Sequence, residues 1–352
     1  MSTFRQLPFE TISAIVNYID NLQDLYQCTL INTAFYKLAN PKLWHDPTKV
    51  TKLSYYDFVG ILLNGSQINN LRTLPLGHYI RQLDLTMVLE DHKMKAAIVL
   101  LFANTPLLEI VTIDYSRLHL INNPPTLVPE YLPILCPRLQ EISVLGYTDD
   151  FLKNLGNCRQ LRVLHLDDLY IDTNYDGLAS LRNCQLESLL VDATGWKAKG
   201  SIRDLQQLTG LSTLTLITSD DWDTELAEQL LFLSPRRSTN MAFPRLETLR
   251  FGYYGGEGVD TRALVRILTA YSQLQDLTIS VTDLDIVQGF VFPNLRYLTL
   301  TESRIPSPET ARSWIKACPA LILFNYESNN EEYEVFDYRS SDMRRIRSGG
   351  PL

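Results

Sequence analysis

The chain has 352 residues and a formal net charge of −8, with 45% hydrophobic and 20% charged residues. This balance is typical of a globular protein rather than a disordered one. The acidic charge argues against a protein held to nucleic acid by phosphate contacts. The longest purely apolar run, residues 96–103, has eight residues, far short of the roughly 20 that cross a bilayer. We therefore expect neither a nucleic-acid partner nor a membrane partner.

The chain start and the cysteines predict a reducing compartment, the cytoplasm or the nucleus. Residues 1–5 are not followed by the apolar region and small-residue cleavage site of a secretory signal. The five cysteines are an odd number without the Cys-x-x-Cys spacing of a metal or redox site. We predict no metal, no cofactor and no disulfide framework.

The first 47 residues predict three short helices. Pro8 stands at a helix start, and Asn21 is a candidate N-cap for a second helix. The apolar residues of the first helix follow at helical spacing: Ile12, Ile15, Val16 and Ile19. A third helix is predicted over about residues 33–39, stopped by Asn40 and Pro41. Three helices of this size make a marginal domain that gains stability from a neighbour or a partner.

A repeated pattern dominates the rest of the chain. The order apolar-x-x-apolar-x-apolar recurs ten times, filled mostly by leucine, which accounts for 59 of the 352 residues. Its first positions are Ile80, Leu108, Leu139, Leu161, Leu186, Leu211, Leu246, Leu274, Leu295 and Leu321. Their mean spacing is about 27 residues, within the roughly 20 to 29 of leucine-rich repeats. Each pattern predicts a short strand, and stacked units predict an α/β solenoid with a curved parallel sheet inside and helices outside.

The segments between the strands support this register. Helices are predicted over residues 223–232, 260–270 and 308–317. Their candidate N-caps are Asp223 or Thr224, Asp260 and Ser307. Four cysteines, at 136, 158, 184 and 318, stand two or three residues before a strand pattern, and we interpret them as core filling at one repeat position. The glycine-rich stretch 252–258 lacks the spacing of a phosphate-binding loop, which predicts a flexible turn.

Together the two modules resemble a known family. The F-box motif is resembled by a set of N-terminal residues: Leu7, Pro8, Glu10, Ile15, Ile19, Asp24, Leu25, Cys28, Ile31, Asn32, Phe35, Leu43 and Trp44. With the repeats, the chain resembles the F-box/leucine-rich-repeat family. The resemblance implies an F-box over 1–47, a linking helical segment over 48–76 and a repeat solenoid over 77–328. A flexible tail then covers 329–352, in which residues 335–338 could add a last strand that covers the sheet edge.

The family resemblance also implies a function. Its members serve as substrate-recognition subunits of Skp–cullin–F-box ubiquitin ligases, without catalysis of their own. Carried onto this chain, the residues facing the Skp-type adaptor are Leu7, Pro8, Ile15, Leu25, Cys28, Ile31, Phe35 and Trp44. About half of these residues could also form internal core. For Trp44 we favour packing between the F-box and a following helix near residues 55–63 over direct contact with the adaptor. The alternative function is a repeat scaffold that binds partners without recruiting a ligase, the helices serving only as a cap.

A protein substrate is expected on the inner face of the sheet. Side chains alternate along a strand, so residues between the fixed apolar positions face away from the core. The candidate substrate-binding residues are Asp114, Tyr115, His165, Asp167, Asp192, Arg250, Tyr253 and Tyr297. The carboxylates suit a basic segment of a partner, although aspartates that follow a strand also cap turns. No nucleophile or oxyanion site accompanies them, so we predict no catalytic residue and no enzyme activity.

Overall fold

The computed structural model describes residues 7–49, 55–67, 74–86, 94–114, 127–145, 149–167, 177–192, 199–218, 224–233, 240–253, 258–282, 284–302, 307–328 and 335–339. These residues contain eleven α-helices and eleven strands. The chain divides into two compact units, Met1–Val144 with Asn157–Leu161, and Leu145–Gly156 with Arg162–Leu352.

The first unit combines the N-terminal helices with the first strands. Its helices are α1 (Phe9–Asn17), α2 (Leu22–Thr29), α3 (Thr33–Leu43), α4 (Tyr55–Gln67), α5 (Met94–Asn104) and α6 (Leu127–Leu135). Its strands are β1 (Gln82–Leu85), β2 (Ile110–Asp114) and β3 (Glu141–Leu145), the last of which ends at the unit boundary. β1 and β2 are parallel, with Leu83 opposite Val111.

The second unit continues the alternation of helices and strands. Its helices are α7 (Asp149–Leu155), α8 (Lys199–Leu205), α9 (Thr224–Leu231), α10 (Thr261–Ala270) and α11 (Pro308–Ala317). Its strands are β4 (Val163–Asp167), β5 (Ser188–Asp192), β6 (Thr213–Thr218), β7 (Thr248–Tyr253), β8 (Asp276–Ser280), β9 (Tyr297–Glu302), β10 (Leu323–Ser328) and β11 (Val335–Arg339). β4 to β10 are parallel neighbours in chain order, and β11 pairs antiparallel with β10.

The predicted strands are confirmed. Each of the ten leucine patterns coincides with one of the parallel strands β1 to β10 in the described part of the chain. The central apolar residues stack across the second unit in one buried row: Leu164, Leu189, Leu214, Leu249, Leu277, Leu298 and Phe324. Burying each such side chain contributes about 1.5–3 kcal/mol. The extra strand over residues 335–338 also forms, so the segment expected as a flexible tail contains β11.

Several predicted helix starts are confirmed by their caps. The Asn21 side chain accepts hydrogen bonds from the amides of Gln23 and Asp24, at 2.8 and 3.3 Å. Asp260 caps α10 by accepting from the Ala263 amide at 2.7 Å. Ser307 caps α11 in the same way. Each cap satisfies amides that lack a partner within the helix.

Two expectations about helices are wrong. α3 does not stop at Asn40 and Pro41 but continues to Leu43, where the Trp44 amide donates to the Asn40 carbonyl at 3.0 Å. Pro41 lies in the last turn, where its missing amide removes a single bond. Not every repeat has an α-helix either. The described part of the β4–β5 connection contains the 3-10 helix Leu178–Asn183. The described residues between β8 and β9 contain no helix; this connection is the shortest interval between two leucine patterns.

Polar side chains on the helix side bond to carbonyls of the preceding repeat. The Cys184 thiol donates to the Leu155 carbonyl at 3.4 Å, where α7 ends. The Cys136 thiol lies 3.8 Å from the Thr105 carbonyl, and the Tyr271 hydroxyl donates to the Leu231 carbonyl at the end of α9. These donors satisfy the terminal carbonyls of the helices. The cysteines predicted as core filling therefore also act as donors between repeats.

Burial raises the pKa of these donors. Loss of solvation raises the pKa of the Cys136 thiol to about 12, of the Cys184 thiol to about 11 and of the Tyr271 hydroxyl to about 12. A hydrogen bond with the Thr105 side chain lowers the pKa of Cys136, and hydrogen bonds with the backbone of Phe243 and Ala242 lower that of Tyr271, in each case by less than burial raises it. These groups are protonated at neutral pH, as donors must be, and the two cysteines are poor nucleophiles.

Gly258 provides a test of how closely the repeats approach. A Cβ at this position would lie 2.5 Å from the Ser280 carbonyl carbon, where the Val259 amide donates to the Ser280 oxygen at 2.9 Å. We expect Gly258→Ala to lower the free energy of unfolding by about 1–3 kcal/mol, because the backbone must shift. Gly60→Ala in α4 is the control, since no described atom lies within 4 Å of its Cβ. The control variant should raise the free energy of unfolding, measured in urea, by up to about 1 kcal/mol. If both variants changed this free energy equally, the close packing of the repeats at Gly258 would be contradicted.

The buried thiols predict a loss of stability at high pH. Their pKa values in the folded chain exceed the ordinary value of 9.0, so their contribution is complete below pH 9 and is lost as the pH rises through 11 to 12. We expect the free energy of unfolding to fall from about pH 9 upward. The double variant Cys136→Ser and Cys184→Ser keeps a donor but does not titrate there. Guanidinium unfolding under reducing conditions at several pH values should show a shallower decline for this variant, and an identical decline would refute the assignment.

Candidate functional site

No group of three or more His, Cys, Asp or Glu side chains in the described ranges could hold a metal ion. None of the described helices combines the length and hydrophobicity that a membrane crossing requires. The features that stand out are surfaces, one on the N-terminal helices and one on the sheet.

Three of the predicted adaptor contacts lie inside the three-helix bundle. Leu25, Cys28 and Phe35 are buried in one apolar cluster with Ile12, Val16, Ala39 and Leu43. Their helical spacing reflects packing between α1, α2 and α3, so they hold the bundle together and are not available to a partner. This corrects the expectation that they contact an adaptor directly.

Trp44 packs against neighbouring helices, which was the alternative to direct contact with an adaptor. Its half-buried ring packs against the bundle core and stacks on Phe58 of α4, with 6.5 Å between ring centroids and 16° between planes. Offset stacking of this kind stabilises aromatic pairs. Trp44 therefore joins the bundle to the next helix of the same unit.

The other predicted adaptor residues are on the surface. Leu7, Pro8, Ile15 and Ile31 are all exposed. The structure adds four exposed apolar or aromatic side chains that the sequence analysis missed: Phe9, Tyr18, Tyr26 and Leu30. Tyr26, Leu30 and Ile31 at the end of α2 form what we call the α2 patch. Tyr26 and Leu30 are one helical turn apart and lie on a different side of the helix from the buried Leu25 and Cys28. A helical projection of the sequence would therefore have indicated that Tyr26 and Leu30 are exposed.

A lysine fixes the bundle that carries these side chains. The Lys42 ammonium at the end of α3 donates to the carbonyls of Val16, Asn17 and Ile19, at 3.2, 3.1 and 2.9 Å. A cation at these carbonyls satisfies the end of α1 and opposes the negative end of its dipole. The bundle is therefore well packed, and its exposed apolar side chains do not result from a loose core.

The open face of the sheet in the second unit is rich in hydroxyl groups. Neighbouring strands align two rows of side chains along it. The first row is Ser188, Thr213, Thr248, Asp276 and Tyr297, and the second is Leu190, Thr215, Arg250, Thr278 and Thr299. Arg250 and Asp276 form an ion pair at 2.5 Å between the two rows. Because each neutralises the other, this part of the face presents mainly neutral hydrogen-bonding groups.

The predicted substrate residues are only partly brought together. His165 is half-buried, Asp167 is exposed, and Tyr297 is 41% exposed on the open face. The side chains of Asp192 and Tyr253, and all of Tyr115, lie outside the described residues.

Asp114, in the first unit, is 7% exposed, so little of its side chain is available to a substrate. In the same unit Asp84 accepts a hydrogen bond from the Thr86 amide at 3.0 Å, as the turn-capping alternative expects for an aspartate near a strand end. Among the described candidate carboxylates, Asp114 is therefore buried and Asp167 is exposed.

Comparisons with known proteins add a distant structural likeness. No family model matches the sequence, and no curated protein matches it. Among solved structures, the chain is similar to a leucine-rich-repeat protein of Leptospira interrogans, with 14% sequence identity and a TM-score of 0.34. The match covers 64% of this chain and spans 63% of the length of that protein. The fold of the present chain is defined by the pairing of its own strands, which lie in chain order in one sheet.

Proposed function

We propose that the chain is the substrate-recognition subunit of a Skp–cullin–F-box ubiquitin ligase. In this proposal the N-terminal helices dock on a Skp-type adaptor, and the repeat sheet binds a protein substrate. One observation carries it: large apolar side chains are exposed on a well-packed three-helix bundle that precedes a repeat-built sheet. Leu30 and Ile31 are 63% and 59% exposed.

The energetics of the bundle support docking. Its core is complete without the α2 patch, since Leu25, Cys28 and Phe35 already fill the space between the helices. Burying an exposed leucine or isoleucine side chain yields about 1.5–3 kcal/mol. Exposed apolar groups on a helix end are suited to an apolar groove on a partner. The α2 patch therefore supplies the main docking energy in this proposal.

The proposal assigns no reaction to the chain itself. Cys136, which is buried, and Cys184, which is half-buried, are protonated hydrogen-bond donors in the structure and are unsuited to carry a thioester. Transfer of ubiquitin then belongs to other subunits, and this chain contributes position: a docking surface at one place and a substrate surface at another.

The sheet face supports a substrate held largely by hydrogen bonds. Thr215, Thr278 and Thr299 lie side by side on neighbouring strands, and Tyr297 adds an aromatic ring of the kind enriched at binding hot spots. Since Arg250 neutralises Asp276, a strongly basic substrate segment gains little from this part of the face. We propose a substrate loop with exposed polar backbone and side-chain groups.

One observation favours the alternative, a repeat scaffold without ligase recruitment. The three helices belong to the same compact unit as β1 and β2, which is also what a cap that shields the end of a repeat array requires. A cap needs its inner face buried but has no use for the α2 patch. Binding to the adaptor therefore separates the two functions.

The α2 patch provides the direct test. We expect the intact chain to bind a purified Skp-type adaptor, and the double variant Leu30→Ser and Ile31→Ser to bind at least about tenfold more weakly, since lost apolar contacts raise the dissociation rate. Isothermal titration calorimetry measures the affinity. Because both side chains are exposed, the thermal midpoint should change little.

A matched variant controls for surface polarity. Ile134→Ser removes an isoleucine that is 71% exposed on α6 and should leave adaptor affinity unchanged. Absence of binding by the unmodified chain would refute the ligase proposal in favour of the scaffold. An equal loss with Ile134→Ser would refute the role of the α2 patch.

A further inference from the structure

A groove lies beside α11 on the helix side of the second unit, where the β8–β9 connection has no helix. It is formed by the connection and α11 and has a volume of about 390 Å³. We call it the α11 groove, and the residues that matter for its chemistry are Ile286, Val287, Phe290, Glu309, Arg312 and Lys316. The groove lies on the helix side of the second unit, separate from the open face of the sheet in the same unit.

Hydrogen bonds to α11 hold the connection in place. The Trp314 indole donates to the Asp285 carbonyl at 3.0 Å, and the Val287 amide donates to the Ser313 hydroxyl at 3.0 Å. The Phe292 amide donates to the Ala317 carbonyl at 2.8 Å. Gly289 turns the chain with a φ of 80°, a conformation that glycine adopts at little cost. The groove is therefore formed before any ligand arrives.

The apolar wall of the groove continues into the core. Phe290 stacks on Phe292 with ring centroids 6.4 Å apart and planes 7° apart. Phe292 stacks in turn on buried Trp314 at 6.0 Å. Phe290 and Ile286 remain substantially exposed at the mouth. This wall offers an apolar side chain a rigid contact surface.

Among the described residues, two cations in the groove have no ion-pair partner. The Arg312 Nε atom is enclosed without a hydrogen-bond partner, and neither Arg312 nor Lys316 has an ion pair among the described residues. Glu309 also lines the groove, but it lies in the first turn of α11 and pairs with neither cation. An enclosed guanidinium nitrogen without a partner is costly and is stabilised by an acceptor.

The neighbouring repeat shows the contrast. On α10, Arg266 forms an ion pair with Glu228 at 2.6 Å and lies over the Phe232 ring at 4.5 Å from its centroid. There a cation between helices is neutralised within the chain. In a protein with a net charge of −8, the cations of the α11 groove stand beside an exposed apolar wall with no such neutralisation.

We propose that the α11 groove binds an acidic peptide segment of a partner protein, with a carboxylate on Arg312 and Lys316 and an apolar side chain against Phe290 and Ile286. Carboxylates form strong charge-assisted hydrogen bonds with guanidinium groups. The apolar neighbour supplies contact area and excludes water. The groove thus gives the chain a second protein contact, independent of the adaptor and of the substrate face.

The test uses the full chain and two labelled eight-residue peptides, each with a central Leu-Phe pair, one flanked by glutamates and one by lysines. Fluorescence anisotropy should show the acidic peptide binding at least about tenfold more tightly than the basic one, and more weakly as salt is added. The double variant Arg312→Gln and Lys316→Gln should lower the affinity for the acidic peptide by about fivefold or more. Glu309→Gln should raise the affinity for the acidic peptide by about twofold, because it removes a negative charge from the groove.

Two further variants keep the test independent of folding. Arg262→Gln removes an exposed arginine from α10 and should leave binding unchanged. Phe290→Ser alters an exposed side chain and should weaken binding while the thermal midpoint is largely retained. Equal binding of the two peptides, or no effect of Arg312→Gln with Lys316→Gln, would overturn the proposal. The proposal would also be overturned if the chain associated with itself through these two cations. It would likewise be overturned if the chain bound phosphatidylserine vesicles through them in place of the peptide.

Discussion

The structure depends on a repeated backbone contact at the start of each strand. In the second unit one carbonyl of each repeat accepts two amides of the next: the Glu187 oxygen accepts from Ser212 and Thr213 at 2.8 and 3.0 Å, and the Ser212 oxygen accepts from the amides at 247 and 248. This contact fixes the register, and the register places leucine beside leucine. Because side chains alternate along a strand, a slip of one residue would turn every leucine to solvent.

Once the register is fixed, the remaining positions are free to carry function. The open face of the second unit holds threonines and one internal ion pair, Arg250 with Asp276. The helix side holds donors such as Cys184 and Tyr271, which close the helix ends of the preceding repeat. Where the β8–β9 connection lacks a helix, the same stacking leaves the α11 groove. One constraint therefore produces both the rigid frame and the distinct surfaces on it.

The strands could be predicted from sequence because each one carries the same recurring apolar pattern. The caps could be predicted because Asn21, Asp260 and Ser307 act on amides two or three residues away. The binding surfaces could not be predicted in the same way. Helical spacing marks Leu25 and Cys28 as apolar but does not say whether the core or a partner covers them. The pair Arg250–Asp276 spans 26 residues and becomes visible only when the strands are aligned.

The central claim is that the N-terminal helices offer a docking surface while the repeats remain available to a substrate. Hydrogen–deuterium exchange of the intact chain, alone and with a purified Skp-type adaptor, tests it most directly. The account predicts slower exchange in α1 and α2 on adaptor binding and unchanged exchange in β6 to β9. Protection confined to the sheet, or no change anywhere in the chain, would contradict it.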